Sequence, residues 1–334
     1  MKLIGGASNQ DVAALEDLAG IYTLAGVHCI DVAADAAVVA ATRRGIAWAL
    51  SLGAVPPWLM VSLSDGADPH FRKAWFDPHR CPHRCPRPCE RVCPADAIDA
   101  AGVAVERCYG CGRCVPACPL GLIEERPVVL SAAAVPPLLR DLAPDAVELH
   151  TRIGRGEAFA ERLAQVAGAD LPLRRLAVSC GLEADRSGDS PAPAVEKLAA
   201  ELWQRFALLR RQGLRPLWQL DGRPMSGDVG SGTAHAAVRL LRRLGPLAPP
   251  GPLQLAGGTN DFTLTLVERT CRGGVEVAGV AFGGVARRLV QPLLQEASAR
   301  GARLIDLPDL WPRALQRARG LVGPWLRRSA GAAG

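Results

Sequence analysis

Between Cys81 and Cys118 lie eight of the chain's eleven cysteines, too dense a set of thiols to serve as ordinary packing groups. The second half of this stretch runs Cys108-x2-Cys111-x2-Cys114-x3-Cys118-Pro119. That is the bacterial ferredoxin spacing, in which three cysteines hold one [4Fe–4S] cluster and the fourth reaches the other cluster. The first half, Cys81, Cys85, Cys89 and Cys93, keeps three residues between successive cysteines and also ends in Cys-Pro.

The halves form an internal repeat. CPADAI at 93–98 matches CPLGLI at 118–123 at an offset of 25, and Cys89 to Cys114 keeps that offset. The offset grows to 26 for Cys85 and Cys111 and to 27 for Cys81 and Cys108, because the first half carries two extra residues. The repeat predicts a pseudo-twofold unit with one cluster per half. Cys81, Cys85, Cys89 and Cys118 are expected to hold cluster one, and Cys108, Cys111, Cys114 and Cys93 cluster two. Thiolates are the soft ligands such clusters select, and the interleaved prolines stiffen the loops by fixing φ. Two plainer readings compete. A disulfide framework needs an oxidising compartment, and structural zinc favours two Cys-x2-Cys pairs set further apart.

Outside this stretch, short apolar runs alternate with segments of helical period. Strands are expected at 2–8, 29–35, 58–65, 146–151, 176–182, 216–222, 252–258 and 277–284, with helices between them and a terminal helix within 303–326. Eight such repeats point to a parallel α/β fold. Without the cysteine insert, the length is close to the ~250 residues typical of a (β/α)8 barrel. The reading is therefore a (β/α)8 barrel-like domain of residues 1–76 and 127–334, with a two-cluster ferredoxin-like module, 77–126, inserted after the third strand. An open doubly wound sheet is the alternative.

In such barrels the active face is built by the loops at the C-terminal strand ends, so the insert shares that face. Strands seven and eight end in Gly257-Gly258 and Gly283-Gly284, with Arg287 in the following turn. Loops in these positions often bind phosphate, which makes these five residues a candidate site for a flavin or another phosphate-bearing ligand. Tight turns would equally account for the glycines. The loop 221–233 is glycine-rich, a candidate lid; Asp221, Arg223 and Asp228 are candidate ligand contacts there, and Thr233 a candidate helix N-cap. Other polar residues at strand ends are Ser8, Asn9, Asp35, Ser64, Asp65, Glu148, His150, Cys180 and Gln219. Cys29 reads as packing, Cys271 as a helix residue, and Cys180, without an identified base, as a poor nucleophile.

Composition excludes some functions. Net charge is +6, but only Lys2, Lys73 and Lys197 are lysines among 39 basic residues, an arginine bias spread along the whole chain. With 4% aromatics, a basic stacking surface for nucleic acid is not suggested. The N-terminus lacks a signal-peptide pattern, and the most apolar stretch, 46–63, is broken by Pro56-Pro57 and too short to span a membrane. A cytoplasmic protein is expected.

KLIGGASNQD, AGVHCIDVAAD, the two cysteine groups, and DGRPMSGDVGSGTAHAAVRL followed by QLAGGTN together resemble the cyanobacterial light-dependent period (LdpA) protein family, over residues 1–300. The resemblance implies an iron–sulfur protein on the input side of the circadian clock, reporting light-dependent cellular redox state to clock input proteins and redox partners. A quinone or another electron donor is a candidate partner. The reading is a redox sensor or electron carrier with two [4Fe–4S] clusters. The rival is a barrel oxidoreductase passing electrons through the clusters to a flavin or substrate.

Overall fold

The computed structural model describes residues 1–6, 12–68, 71–182, 191–223, 230–271 and 276–331. Eight parallel strands close into a barrel: β1 (Lys2–Gly6), β2 (Cys29–Ala33), β3 (Trp58–Ser64), β4 (Ala146–His150), β5 (Arg175–Gly181), β6 (Pro216–Asp221), β7 (Leu253–Ala256) and β8 (Gly279–Phe282). Each strand pairs with its neighbours in sequence and β8 returns to β1, so the open-sheet alternative is set aside. Long helices such as Ala36–Ser51 and Gly284–Ala299 pack around the outside. Leu3, Ile30, Val61, Val147 and Val178 point outward from the strands and are buried beneath these helices.

The expected strands are all present and mostly end sooner than periodicity suggested. β7 stops at Ala256 because Gly257 and Gly258 turn to φ 66° and 85°. The next helix starts only at Thr263, after a turn in which the Asn260 side chain accepts from the Phe262 amide at 3.0 Å. Thr233 does precede a helix, Ala234–Leu244, but its hydroxyl does not cap it. It donates instead to the Gly230 and Gly258 carbonyls, at 2.8 and 2.5 Å, tying the loop after β6 to the one after β7.

Close backbone approach sets the first helical pair. A Cβ on Gly45 would collide with the Glu16 carbonyl, and one on Gly20 would lie 2.9 Å from the Trp48 ring. The helix Val12–Ala25 thus crosses Ala36–Ser51 with almost no space between them. The C-terminal helix Trp311–Gly331 packs on the first, and Trp311 meets Trp48 edge-on at 5.6 Å. Two of its arginines, Arg317 and Arg328, donate to the Leu289 and Val277 carbonyls at 3.0 and 2.9 Å.

The cysteine stretch leaves the barrel after β3. It begins and ends in an antiparallel ribbon, Arg72–Trp75 against Glu124–Pro127, that periodicity did not reveal. Arg126 lies 3.1 Å over the Trp75 ring and Arg72 pairs with Glu125 at 3.0 Å. Ala74, Phe76, Ile98 and Ile123 form a small core among the cysteines.

Candidate metal centre and barrel mouth

Two four-residue helices, Pro88–Arg91 and Cys114–Ala117, pack together at the centre of the cysteine stretch, each carrying one buried cysteine, Cys89 and Cys114. The halves then repeat each other in detail. The Ala97 amide donates to Cys93 Sγ at 3.3 Å and the Leu122 amide to Cys118 Sγ at 3.4 Å. Gly110 and Gly112, both at φ 76°, turn the backbone around Cys111, a conformation that glycine adopts without strain.

The cysteines group across the halves. The charge of Cys118 raises the thiol pKa of Cys81 and of Cys89, and that of Cys93 raises those of Cys111 and Cys114. Burial is the larger cause in each case. For Cys114, burial and then the neighbouring Cys111, Cys108 and Cys93 push the thiol up to about 12. Cys118 goes the other way: burial opposes ionisation, but the amides of Leu122, Leu120, Ile123 and Gly121 outweigh it. Crowded thiols with amides aimed at sulfur form a donor set that is stable as thiolates only with cationic metal among them. All eight cysteines are free of disulfides. Among the described residues, no three His, Cys, Asp or Glu side chains are placed to hold a single metal ion.

A match to the Fe-S cluster-binding domain of light-dependent period A covers residues 81–129, and one to the C-terminal domain of light dependent period A covers 138–324. The curated Light dependent period A of Synechococcus elongatus is 44% identical over 337 residues, covering 99% of this chain and 92% of that protein. The chain belongs to the light-dependent period A family. It is an iron–sulfur protein of that family. Among solved structures, a fructose-bisphosphate aldolase from Plasmodium falciparum is similar at 12% identity and a TM-score of 0.47, over 96% of this chain and 88% of that one. No helix among the described residues is long and apolar enough to cross a membrane.

In this family member the barrel mouth adjoins the cysteines. Ser62 and Ser64 of β3, Ala33 beyond them on β2, Phe71, and Tyr109 between Cys108 and Cys111 line one small pocket of about 70 Å³, partly open to solvent. Below it the barrel interior is polar. Lys2 binds Asp31 at 3.0 Å and also Glu148; Ser62 donates to Asp31 at 2.6 Å; Gln219 donates to Glu148 at 2.9 Å and Ser179 at 3.1 Å. Ser179 donates to Asp221 at 2.5 Å. Above this layer, His150 bonds Glu148 at 2.9 Å, stacks edge-on against Phe71 at 5.1 Å, and lies 4.0 Å from Asp68. Below it, Cys29, Met60, Ala146 and Ala177 plug the barrel.

This layer is electrostatically matched. Burial alone would strip the proton from Lys2, but Asp31 and Glu148 hold it well above its ordinary value. Burial likewise opposes a charged His150, yet the hydrogen bond and charge of Glu148, then Asp221 and Asp68, raise its pKa to about 9. Asp31 is pushed up to about 6 by burial and by Glu148. Glu148 stays ionised despite burial, because Lys2 and His150 both face it.

Of the polar residues flagged from sequence, Glu148, His150, Gln219 and Asp221 join this network. Asp35 instead caps the helix Ala36–Ser51, accepting from the Ala37 amide at 2.9 Å. Ser64 turns back to the Gly66 carbonyl, Asp65 pairs with Arg155 at 3.2 Å, and Cys180 is buried with its thiol pushed up to about 12 by that burial. Cys29 is packing in the plug, and Cys271 ends the helix Thr263–Thr270. Ser8, Asn9 and Asp228 lie outside the described residues. Sequence reading missed Lys2, Asp31, Ser62 and Ser179. The available signal was a polar residue set inside an otherwise apolar strand, as in CIDVA and AVELH.

The glycine loops have packing reasons of their own. A Cβ on Gly257 would lie 2.6 Å from the Arg223 carbonyl, and one on Gly258 2.9 Å from that of Thr233. Gly283 and Gly284 open the helix Gly284–Ala299, and Arg287 donates to the Gly5 carbonyl at 3.0 Å.

Proposed function

We propose that this chain is a redox sensor holding two [4Fe–4S] clusters, one on Cys81, Cys85, Cys89 and Cys118 and the other on Cys108, Cys111, Cys114 and Cys93. The observation that carries the assignment is the proximity of Cys118 to Cys81 and Cys89, and of Cys93 to Cys111 and Cys114. This supports the crossed arrangement expected of a two-cluster ferredoxin. The ligand set fits by chemistry, since thiolates backed by amide donors suit iron–sulfur cubes. Residues 77–126 act as the cluster module and 1–76 with 127–334 as its barrel support, in the cytoplasm, where thiols stay reduced.

When bound, the clusters supply one-electron chemistry that alters local charge. Arg72, Lys73 and Tyr109 line the pocket at the barrel mouth, which supports a reading in which that charge acts on a surface recognised by partners. The name of its relative, Light dependent period A, suits a light-dependent signal, and the family resemblance suggests a recipient in the circadian clock. Protein reconstituted without oxygen should contain about eight iron and about eight labile sulfide per chain. About four iron, or zinc in place of iron, would overturn the two-cluster assignment.

A flavin-bearing oxidoreductase is the second reading. It is favoured by the pocket that Tyr109, beside Cys108, shares with the barrel mouth. Sharp flavin peaks beside the broad cluster absorption would select it; broad absorption alone selects the sensor.

A further inference from the structure

The two halves of the cysteine repeat have diverged at one place that neither ligation nor packing explains. Between its first two cysteines the second half has Tyr109-Gly110, and Tyr109 is buried where it lines the pocket at the barrel mouth. The first half has Pro82-His83-Arg84 there, all three exposed. Arg80, just before Cys81, and Arg91, two residues after Cys89, are exposed as well.

These arginines are not spent on neighbouring acids. Glu90 pairs with Arg87 at 2.9 Å, and Asp77 accepts from the His79 amide at 3.0 Å. Arg91 donates to the Pro86 carbonyl at 3.1 Å, which holds it beside the loop from Cys85 to Cys89. Arg80, Arg84 and Arg91 make no ion pair among the described residues.

Arg91 also lines a shallow, open depression in the surface of the cysteine stretch. Val92, Cys93 and Pro94 of the first half and Arg113 and Pro116 of the second complete its lining, and no carboxylate is among them. Val92 is 37% exposed, an apolar side chain left in water next to a cysteine of the repeat, and Pro94 and Pro116 are exposed too. Apolar side chains beside Cys93 with arginine at the edge are the make-up of a protein-docking patch, where arginine is enriched and lysine depleted. A small patch suits the brief encounters of electron-transfer proteins, which bury less than about 1,200 Å². Nucleic acid would call for aromatic side chains to stack on, and none lines the depression.

We propose, building on the two-cluster reading, that this face receives a small acidic electron-carrier protein, whose carboxylates meet Arg80, Arg84 and Arg91 and whose apolar contact covers Val92. One electron passes between carrier and cluster, oxidising one and reducing the other; no bond is made and no proton moves. Opposite charge steers the approach, so the encounter is fast and sensitive to salt.

The full chain, reconstituted with its clusters without oxygen, is titrated with a fluorescently labelled acidic [2Fe–2S] ferredoxin at about 20 mM and about 200 mM salt, a range that shortens the screening length about threefold. Basic cytochrome c, a single-stranded oligonucleotide and anionic lipid vesicles are run in parallel. Saturable ferredoxin binding at low salt is expected, weakened about tenfold or more at high salt and in the triple variant Arg80→Glu, Arg84→Glu, Arg91→Glu. Val92→Asp should weaken it as well, whereas Arg239→Glu, exposed on the helix Ala234–Leu244, should bind as the parent does. No ferredoxin binding, full affinity in either the triple variant or Val92→Asp, or an equal loss in Arg239→Glu would overturn the docking face. Tighter binding of cytochrome c, oligonucleotide or vesicles would overturn it too. Should the charge-reversed variant fail to fold, Arg80→Gln, Arg84→Gln, Arg91→Gln takes its place, with the parent's ranking of the four probes. Iron and labile sulfide, measured in the same samples, separate the two readings. A parent that holds both but ignores ferredoxin sinks the docking face alone; one without iron sinks the cluster reading and the docking with it.

Discussion

Asp96 and Gly121 occupy the same left-handed turn in the two halves of the cysteine repeat, at φ 45° and 60°. Each sits three residues after a Cys-Pro cysteine and aims the next amide back at that cysteine's sulfur. The turn explains why one half can use glycine and the other aspartate, since Asp tolerates this region better than most residues. Asp96→Gly should leave the protein as stable or slightly more so. Gly121→Val should cost about 1–2 kcal/mol through the left-handed penalty and loosen the hydrogen bond to Cys118. Thermal loss of cluster absorbance measures both; an unchanged midpoint in Gly121→Val would contradict the shared turn.

The proposed crossing of the fourth ligands makes a sharper prediction. Cys118→Ser should damage the cluster held by Cys81, Cys85 and Cys89, and Cys93→Ser the one held by Cys108, Cys111 and Cys114. Electron paramagnetic resonance of the reduced variants distinguishes the two signals. Loss in the cluster of the adjacent triplet instead would mean that each half is self-contained.

His150 predicts a pH dependence. Its folded pKa of about 9 exceeds the ordinary 6.5, so its contribution to stability is complete below about 6.5 and is lost as pH rises through about 9. The amplitude is at most about 3 kcal/mol, at 1.36 kcal/mol per unit. Denaturation midpoints measured across this range should fall for the parent and stay flatter for His150→Gln. Parallel profiles would show that His150 is not held charged by Glu148.

Gly45→Ala should destabilise the barrel by about 1–3 kcal/mol, the usual cost of overpacking, because the added methyl meets the Glu16 carbonyl on the facing helix. Chemical denaturation followed by far-ultraviolet circular dichroism checks this. The same change at Gly53, where φ is 85° but no atom lies within 4 Å, tests backbone strain alone.

Much of this architecture was legible because each barrel strand is a short apolar run bounded by turn residues, and each helix keeps one apolar stripe. Cysteine spacing likewise exposed the repeat, since ligand geometry is written in local sequence. The ribbon was hidden: RKAW and EERP are short, charged and fifty residues apart, and only tertiary pairing makes them strands. The polar layer was hidden for a related reason. Lys2, Asp31 and Ser179 look like isolated anomalies until barrel closure sets alternate residues of different strands face to face. The pairing of Thr233 with Gly258 was equally out of reach, because a hydroxyl before a helix reads locally as a cap.

Every backbone pairing that shuts the barrel is made by residues outside the segment 72–127. No cysteine of the repeat lies in that closed ring of hydrogen bonds. Closing the barrel and holding iron are therefore tasks given to separate stretches of one chain, and the sheet asks nothing of the metal for its backbone pairing.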